Sequence, residues 1–174
     1  MTLELGILIA GLAAATFAIV WLIAEFRGMR DEIRARTGIN NEALKLKLQA
    51  FERLTVYAER AGLKNLVSRV ANEQNIDSAA MLHYNMIEAL KTEFEYNVSQ
   101  QIYVSPEVWN AITKMKDQNI FIINQIAAVL PADASAKELS KRLLEYSMTN
   151  NAELSKVVLE AISFEAKQAL QQAG

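Results

Sequence analysis

Residues 5–24 read LGILIAGLAAATFAIVWLIA, twenty consecutive positions without a charged side chain. As an α-helix rising about 1.5 Å per residue the stretch is roughly 30 Å long, the thickness of a bilayer's hydrocarbon core. A helix apolar on every side cannot hide its whole surface against one neighbouring layer, so a buried soluble helix seldom looks like this for five turns. A cleavable signal peptide is expected to carry Lys or Arg ahead of the apolar run, whereas only Glu4 stands there. The stretch predicts one N-terminal transmembrane helix, with residues 1–24 as the anchor.

The cations set the orientation. Arg27, Arg30, Arg34 and Arg36 follow the span and none precedes it, and flanks kept in the cytoplasm carry that excess. They serve as the juxtamembrane topology signal and place the N-terminus outside and residues 25–174 inside. Arg27, Arg30 and Arg34 share a helical face that also suits anionic headgroups, at up to about 1 kcal/mol per cation. Trp21 and Phe26 suit the headgroup boundary. Gly6, Ala10, Ala14 and Ala18 recur every four residues and form either a face for membrane helix packing or an incidental run of small residues. Residues 25–38 read as a basic juxtamembrane helical stalk closed at Thr37-Gly38, where glycine readily takes a helix-ending conformation.

Residues 39–174 carry the periodicity of a compact multi-helix cytoplasmic domain. A helix beginning at Asn40 or Asn41 and stopped by Gly62 shows Leu44, Leu48, Phe51, Leu54, Ala58 and Ala61 on one side. Leu63, Leu66, Val67 and Val70 mark a short second helix. Asp77 or Ser78 caps a third, with Leu82, Met86, Leu90 and Phe94, reaching about Gln100. QIYVS at residues 101–105 reads as an extended linker. Ser105-Pro106-Glu107 combines an N-cap, a first-turn proline and an acid in the positive first turn. The helix it opens is expected to bury Trp109, Ile112, Ile120, Ile123, Ile126 and Leu130 and to end at Pro131. Its stretch 120–130 is apolar nearly all round and predicts the central core helix. Capping-box pairs at Ser135 with Glu138 and Asn150 with Glu153 open two more helices. The last buries Leu154, Val157, Val158, Ala161 and Phe164 and frays after Gln168.

Chemistry is sparse. With Cys 0 there is no disulfide, thiol nucleophile or zinc ribbon, and with His 1 almost nothing for a histidine-based metal site. Lys+Arg 18 against Asp+Glu 20 gives net charge -2, without the basic excess that nucleic-acid binding needs. His83 reads as a surface or half-buried structural residue. Glu88, Glu93 and Glu95 read as a solvated acidic face, and the six glycines are too scattered for a phosphate loop. No catalytic, cofactor or metal residue is assigned, and no cofactor is expected.

The stretches LKLQAFERLTVYAER (residues 46–60 within 44–60), EFEYNVSQQIYVSPEVWNAI (93–112) and LPADASAKELSKRLLEY (130–146) resemble an uncharacterised family of small single-span membrane-anchored proteins, mostly from Bacteroidota. That family often has an Asn-Pro turn where this chain has Gly62-Leu63-Lys64-Asn65. The resemblance implies a bacterial inner membrane setting and brings no site residue. The expected function is a non-enzymatic protein-interaction module, an accessory subunit or scaffold whose partners are the membrane and other membrane proteins or a second copy. The alternative is a lipid- or small-ligand-binding module with a pocket near Trp109 and Tyr103.

Overall fold

Prolines occur only at 106 and 131, so the first hundred residues contain no obligatory helix breaker. The computed structural model describes residues 2–73, 76–148 and 152–173; within its helices the side chains of residues 2–15, 18, 20, 31, 33–36, 39, 40, 73, 152, 153 and 173 lie outside what is described. Every described element is helical: α1 Thr2–Ala61, α2 Leu63–Glu73, α3 Ala79–Asn97, a 3-10 helix Val98–Tyr103, α4 Pro106–Ala128, α5 Ala136–Tyr146 and α6 Ala152–Ala173. The all-α class stands. The chain divides into two compact units, Met1–Ala43 and Leu44–Gly174.

The expected helix end at Thr37-Gly38 and new start at Asn40 or Asn41 are absent, because α1 runs through both. A glycine stops a helix only by leaving the right-handed conformation, and among the described residues no glycine has positive φ. A helical glycine costs only about 1 kcal/mol relative to alanine, too little to break a segment followed by Glu42, Ala43, Leu44 and Lys45.

In the unit Met1–Ala43 the described side chains are solvent-facing, including Phe17, Ile19, Trp21, Leu22, Ile23, Phe26 and Met29. Among the described residues no helix is long and apolar enough to cross a membrane. Most of the predicted span at residues 5–24 falls on side chains outside the described ones.

The unit Leu44–Gly174 has a continuous apolar core. Leu54 of α1, Leu66 of α2, Leu82 and Met86 of α3, Ile112 and Ile123 of α4, Leu139 and Leu143 of α5 and Ile162 of α6 are all but inaccessible. Fully burying each such side chain stabilises by about 1.5–3 kcal/mol before entropy is counted. Helix α3 is central, packing on α2, α4 and α5, while α4 also packs on α6. The sequence had pointed to residues 120–130 of α4 as the core helix, yet Phe121 and Val129 are exposed; a helix end can be apolar all round where one side faces solvent. Val157 and Phe164, expected to be buried on α6, are exposed too, whereas Val158 and Ile162 are buried.

Hydroxyl caps set the helix starts. Ser78, Ser105 and Ser135 accept hydrogen bonds from Met81, Val108 and Glu138 backbone N–H groups, each at 3.2 Å, satisfying donors that an α-helix leaves unpaired. The α3 and α5 starts are joined: Ala79 N–H donates to Ala134 at 2.9 Å and Ala136 N–H to Asp77 at 2.8 Å, an antiparallel bridge at Ser78 and Ser135. Asn150 lies outside the described residues. The predicted extended linker is instead the 3-10 helix, with Val104 and Ser105 alone extended. A lone strand has no ladder partner for its polar backbone, whereas 3-10 turns satisfy theirs locally.

Candidate functional site

Helices α1 and α3 border a groove of about 540 Å³ lined by Gln49, Glu52, Arg53, Val56, Tyr57, Arg60, Glu93, Tyr96 and Asn97. Arg53 and Arg60 stand seven residues apart, two turns along one side of α1, and therefore project together. Across from them is the last turn of α3. There the buried Asn97 amide donates to the Glu93 carbonyl at 2.8 Å, and Arg53 Nη2 donates to the Tyr96 carbonyl at 3.2 Å. Arg53 thus caps the negative end of α3 while its guanidinium lies 4.8 Å from the centre of the Tyr96 ring. Tyr96 itself is exposed.

Glu93 ties three helices. Arg60 of α1 holds its carboxylate in a fork, Nε at 3.2 Å from both oxygens and Nη2 at 2.9 Å from Oε1. Arg69 of α2 brings Nη2 to 2.9 Å from the same Oε1. That contact is at ion-pair distance but not aligned as a hydrogen bond, since Arg69 Nε and Nη2 are buried without hydrogen-bond partners. The expectation of a solvated acidic face therefore fails at Glu93, which is partly buried between two cations, and holds at the exposed Glu88 and Glu95.

Beneath the groove, the Tyr57 hydroxyl is buried with no hydrogen-bond partner. Burial, with smaller contributions from the Glu93 and Asp117 carboxylates, pushes its pKa well above the ordinary tyrosine value, so it stays neutral. The Tyr57 ring meets Phe94 at 6.1 Å and Phe94 stacks on Trp109 at 5.2 Å, with the Lys116 ammonium 4.3 Å from the Phe94 ring centre. Trp109 is thereby a packing residue, and neither it nor Tyr103 lines this groove. A second groove, about 470 Å³, has Phe51, Val108, Ala161, Phe164 and Ala169 among its walls. At its edge Glu165 accepts from Ser105 N–H at 2.8 Å and from Ser105 Oγ at 2.7 Å.

At the second groove the Ser105 hydroxyl and the Glu165 carboxylate stand 2.7 Å apart, the same hydroxyl also capping α4. Among the described residues no group of three or more His, Asp or Glu is placed to hold a metal. His83, half-buried, forms a 2.7 Å hydrogen bond through Nε2 with Asn124 Oδ1.

A family model matches nearly the whole chain. The chain belongs to the Family of unknown function (DUF7935), whose model covers residues 2–169. That match takes in the unit Met1–Ala43 from its second residue and nearly all of Leu44–Gly174. No curated protein and no solved structure matches the chain.

Gly6, Ala10, Ala14 and Ala18 are on α1 with side chains outside the described ones, as are those of Arg34 and Arg36; Arg27 and Arg30 are exposed on the same helix. Arg60, Arg69, Glu93 and Tyr96 were missed as a group. Their spacing contains no motif, because three helices must fold together before the charges meet.

Proposed function

We propose that this family member is a non-enzymatic, membrane-anchored protein-interaction module, an accessory subunit or scaffold at the inner face of a bacterial inner membrane. The observation that carries the interaction reading is the groove mouth itself: an exposed Tyr96 under Arg53, beside the Arg60–Glu93 fork. Tyrosine and arginine dominate the energies of protein interfaces, and here both are held in place by neighbouring helices. The anchor reading is supported by the charge-free residues 5–24, by Arg27, Arg30, Arg34 and Arg36 immediately after them, and by exposed Phe17, Ile19, Trp21 and Leu22. The partners are other membrane proteins or a second copy, with no nucleic acid.

Two experiments test this. The chain has no native cysteine, so single cysteines at Thr2 and Asn151 report topology through an impermeant thiol reagent on intact cells. Thr2 should label and Asn151 should not; the reverse pattern overturns the orientation. For the interaction, tagged full chain extracted in mild detergent should bring down a defined partner that is lost on Tyr96→Ala with Arg53→Ala. Retention of the same partner by that double variant removes the groove from the function.

A second reading, a lipid- or small-ligand-binding module, is favoured by the apolar groove of Phe51, Val108, Ala161 and Phe164. An apolar ligand there should be displaced by Ala161→Trp and be indifferent to the Tyr96 variant.

A further inference from the structure

Gln49, Arg53 and Tyr57 follow one another at intervals of four along α1, Arg60 comes three residues later, and all four line the α1/α3 groove. Each carries a hydrogen-bond donor, and the guanidiniums carry nothing else. Tyr57 is 1% exposed, yet its hydroxyl, in the wall of this groove, has no hydrogen-bond partner. Buried polar groups in native proteins are paired with few exceptions, so a lone donor beside a groove marks a place that an outside acceptor fits. The two carboxylates whose charge acts on that hydroxyl, Glu93 and Asp117, are themselves paired. Glu93 is held by Arg60 and Arg69, and Asp117 by Lys116 at 2.9 Å.

Arg53 lies one turn from Tyr57 and is half-buried. Its contacts are the Tyr96 carbonyl and the Tyr96 ring; among the described residues no carboxylate pairs with it. The groove's remaining acid, Glu52, is exposed and stands about 100° around the helix from Arg53. Water already solvates an exposed charge, whereas a charge partly withdrawn from water gains most from a counter-ion. Burial, more than the tally of signs, therefore sets what this groove lacks: a negative group at the Arg53–Tyr57 level. Exposed Val56 and Tyr96 beside it offer apolar and aromatic surface.

We propose that the α1/α3 groove binds a carboxylate carried on an apolar body, with Arg53 and the Tyr57 hydroxyl taking the oxygens and Val56 and Tyr96 taking the body. The inference rests on the reading of this groove as the recognition surface and adds what is recognised there. Hydrogen bonds from a guanidinium and a phenol to a carboxylate are charge-assisted, so an acid is preferred over the amide of the same shape. The carboxylate is that of an acidic side chain on a protein partner or of a free acid, and competition separates the two.

The test titrates 3-phenylpropanoate, and in parallel its neutral amide, into the full chain in mild detergent, with binding read by calorimetry. The acid should bind about tenfold more tightly than the amide. Tyr57→Phe should weaken the acid by about tenfold and leave the amide unchanged, with helical circular dichroism and thermal stability retained. Arg53→Gln should erase the preference for the acid. Equal binding of acid and amide overturns the inference, as does an acid whose affinity Tyr57→Phe does not alter. So does the absence of binding at millimolar acid; if the partner is still lost on Tyr96→Ala with Arg53→Ala, the interaction reading survives that failure. Where the acid binds as expected, release of the partner by excess acid assigns the carboxylate to the partner. Retention of the partner assigns it to a free acid, and the carboxylate site stands while the groove is withdrawn from protein docking.

Discussion

Phe17 and Phe51 lie on the same helix, α1, and differ in nearly everything else: Phe17 is 76% exposed and Phe51 4%. Around Phe17 every neighbour is apolar or small, so no direction is preferred for burial. Around Phe51 apolar residues recur at three and four while Lys45, Glu52 and Arg60 stand away from that stripe, and that asymmetry gives the helix a face to bury. The lesson is that helix formation and helix burial are separate decisions. The first is local, made by the absence of breakers; the second depends on whether the pattern offers a side that another element can cover.

The largest effect expected from that contrast is a core truncation. Leu54→Ala should destabilise the unit Leu44–Gly174 by about 2–5 kcal/mol, because Leu54 is wholly buried. Leu22→Ala, on the exposed stretch, should leave the same unfolding transition in place. Chemical denaturation of the full chain in detergent, followed by Trp109 fluorescence, separates the two; equal losses would break the comparison.

Next in size is the ion pair that joins α1 to α2 and α3. Glu93→Gln should cost about 1–3 kcal/mol by leaving the partly buried Arg69 without its counter-charge. Arg60→Ala should cost less than about 1 kcal/mol, since Arg60 is solvent-facing. A larger loss for Arg60 than for Glu93 would mean that the fork, and not Arg69, holds the helices together.

Where α1 ends, Gly62 approaches α6. A methyl group there would meet Ser155 Oγ at 3.1 Å, so Gly62→Ala should cost about 1 kcal/mol and Ser155→Ala in the same chain should restore most of it. A thermal-melt comparison of the three variants decides this. Ala at Gly28, which has open space around it, should not destabilise.

The smallest effect at neutral pH, and the one with a pH signature, belongs to Tyr57. Its hydroxyl is buried without a partner, so Tyr57→Phe should be neutral or slightly stabilising, within about 1 kcal/mol. Since its folded pKa is raised, the contribution is fully present below the unfolded value of about 10 and is lost as pH rises beyond it. Alkaline unfolding above that pH should be blunted in Tyr57→Phe, and an unchanged alkaline limb would assign it to other groups.

Much of the helical unit was legible without coordinates because its signals are short-range. Ser78, Ser105 and Ser135 cap where hydroxyls precede apolar runs. Leu63, Leu66, Val67 and Val70 are buried as their spacing requires. Phe121 and Val157 are exposed because burial depends on which neighbour lies opposite, whereas at Gly38 and residues 101–103 a helical backbone satisfies its own hydrogen bonds where a break was expected.

The sequence by itself determined that the chain is helical, where most helices start, which face of α1, α2 and α3 is apolar, and that residues 5–24 stand apart from the rest. Each follows from interactions within a few residues along the chain. Only the tertiary structure decided that Glu93 sits between Arg60 and Arg69, that Asn119 donates to the last carbonyl of α1 at Ala61 across 2.8 Å, and that the starts of α3 and α5 are bridged. Each of these joins residues 24 to 58 positions apart. No local preference specifies such a pairing, because it exists only once the helices have packed.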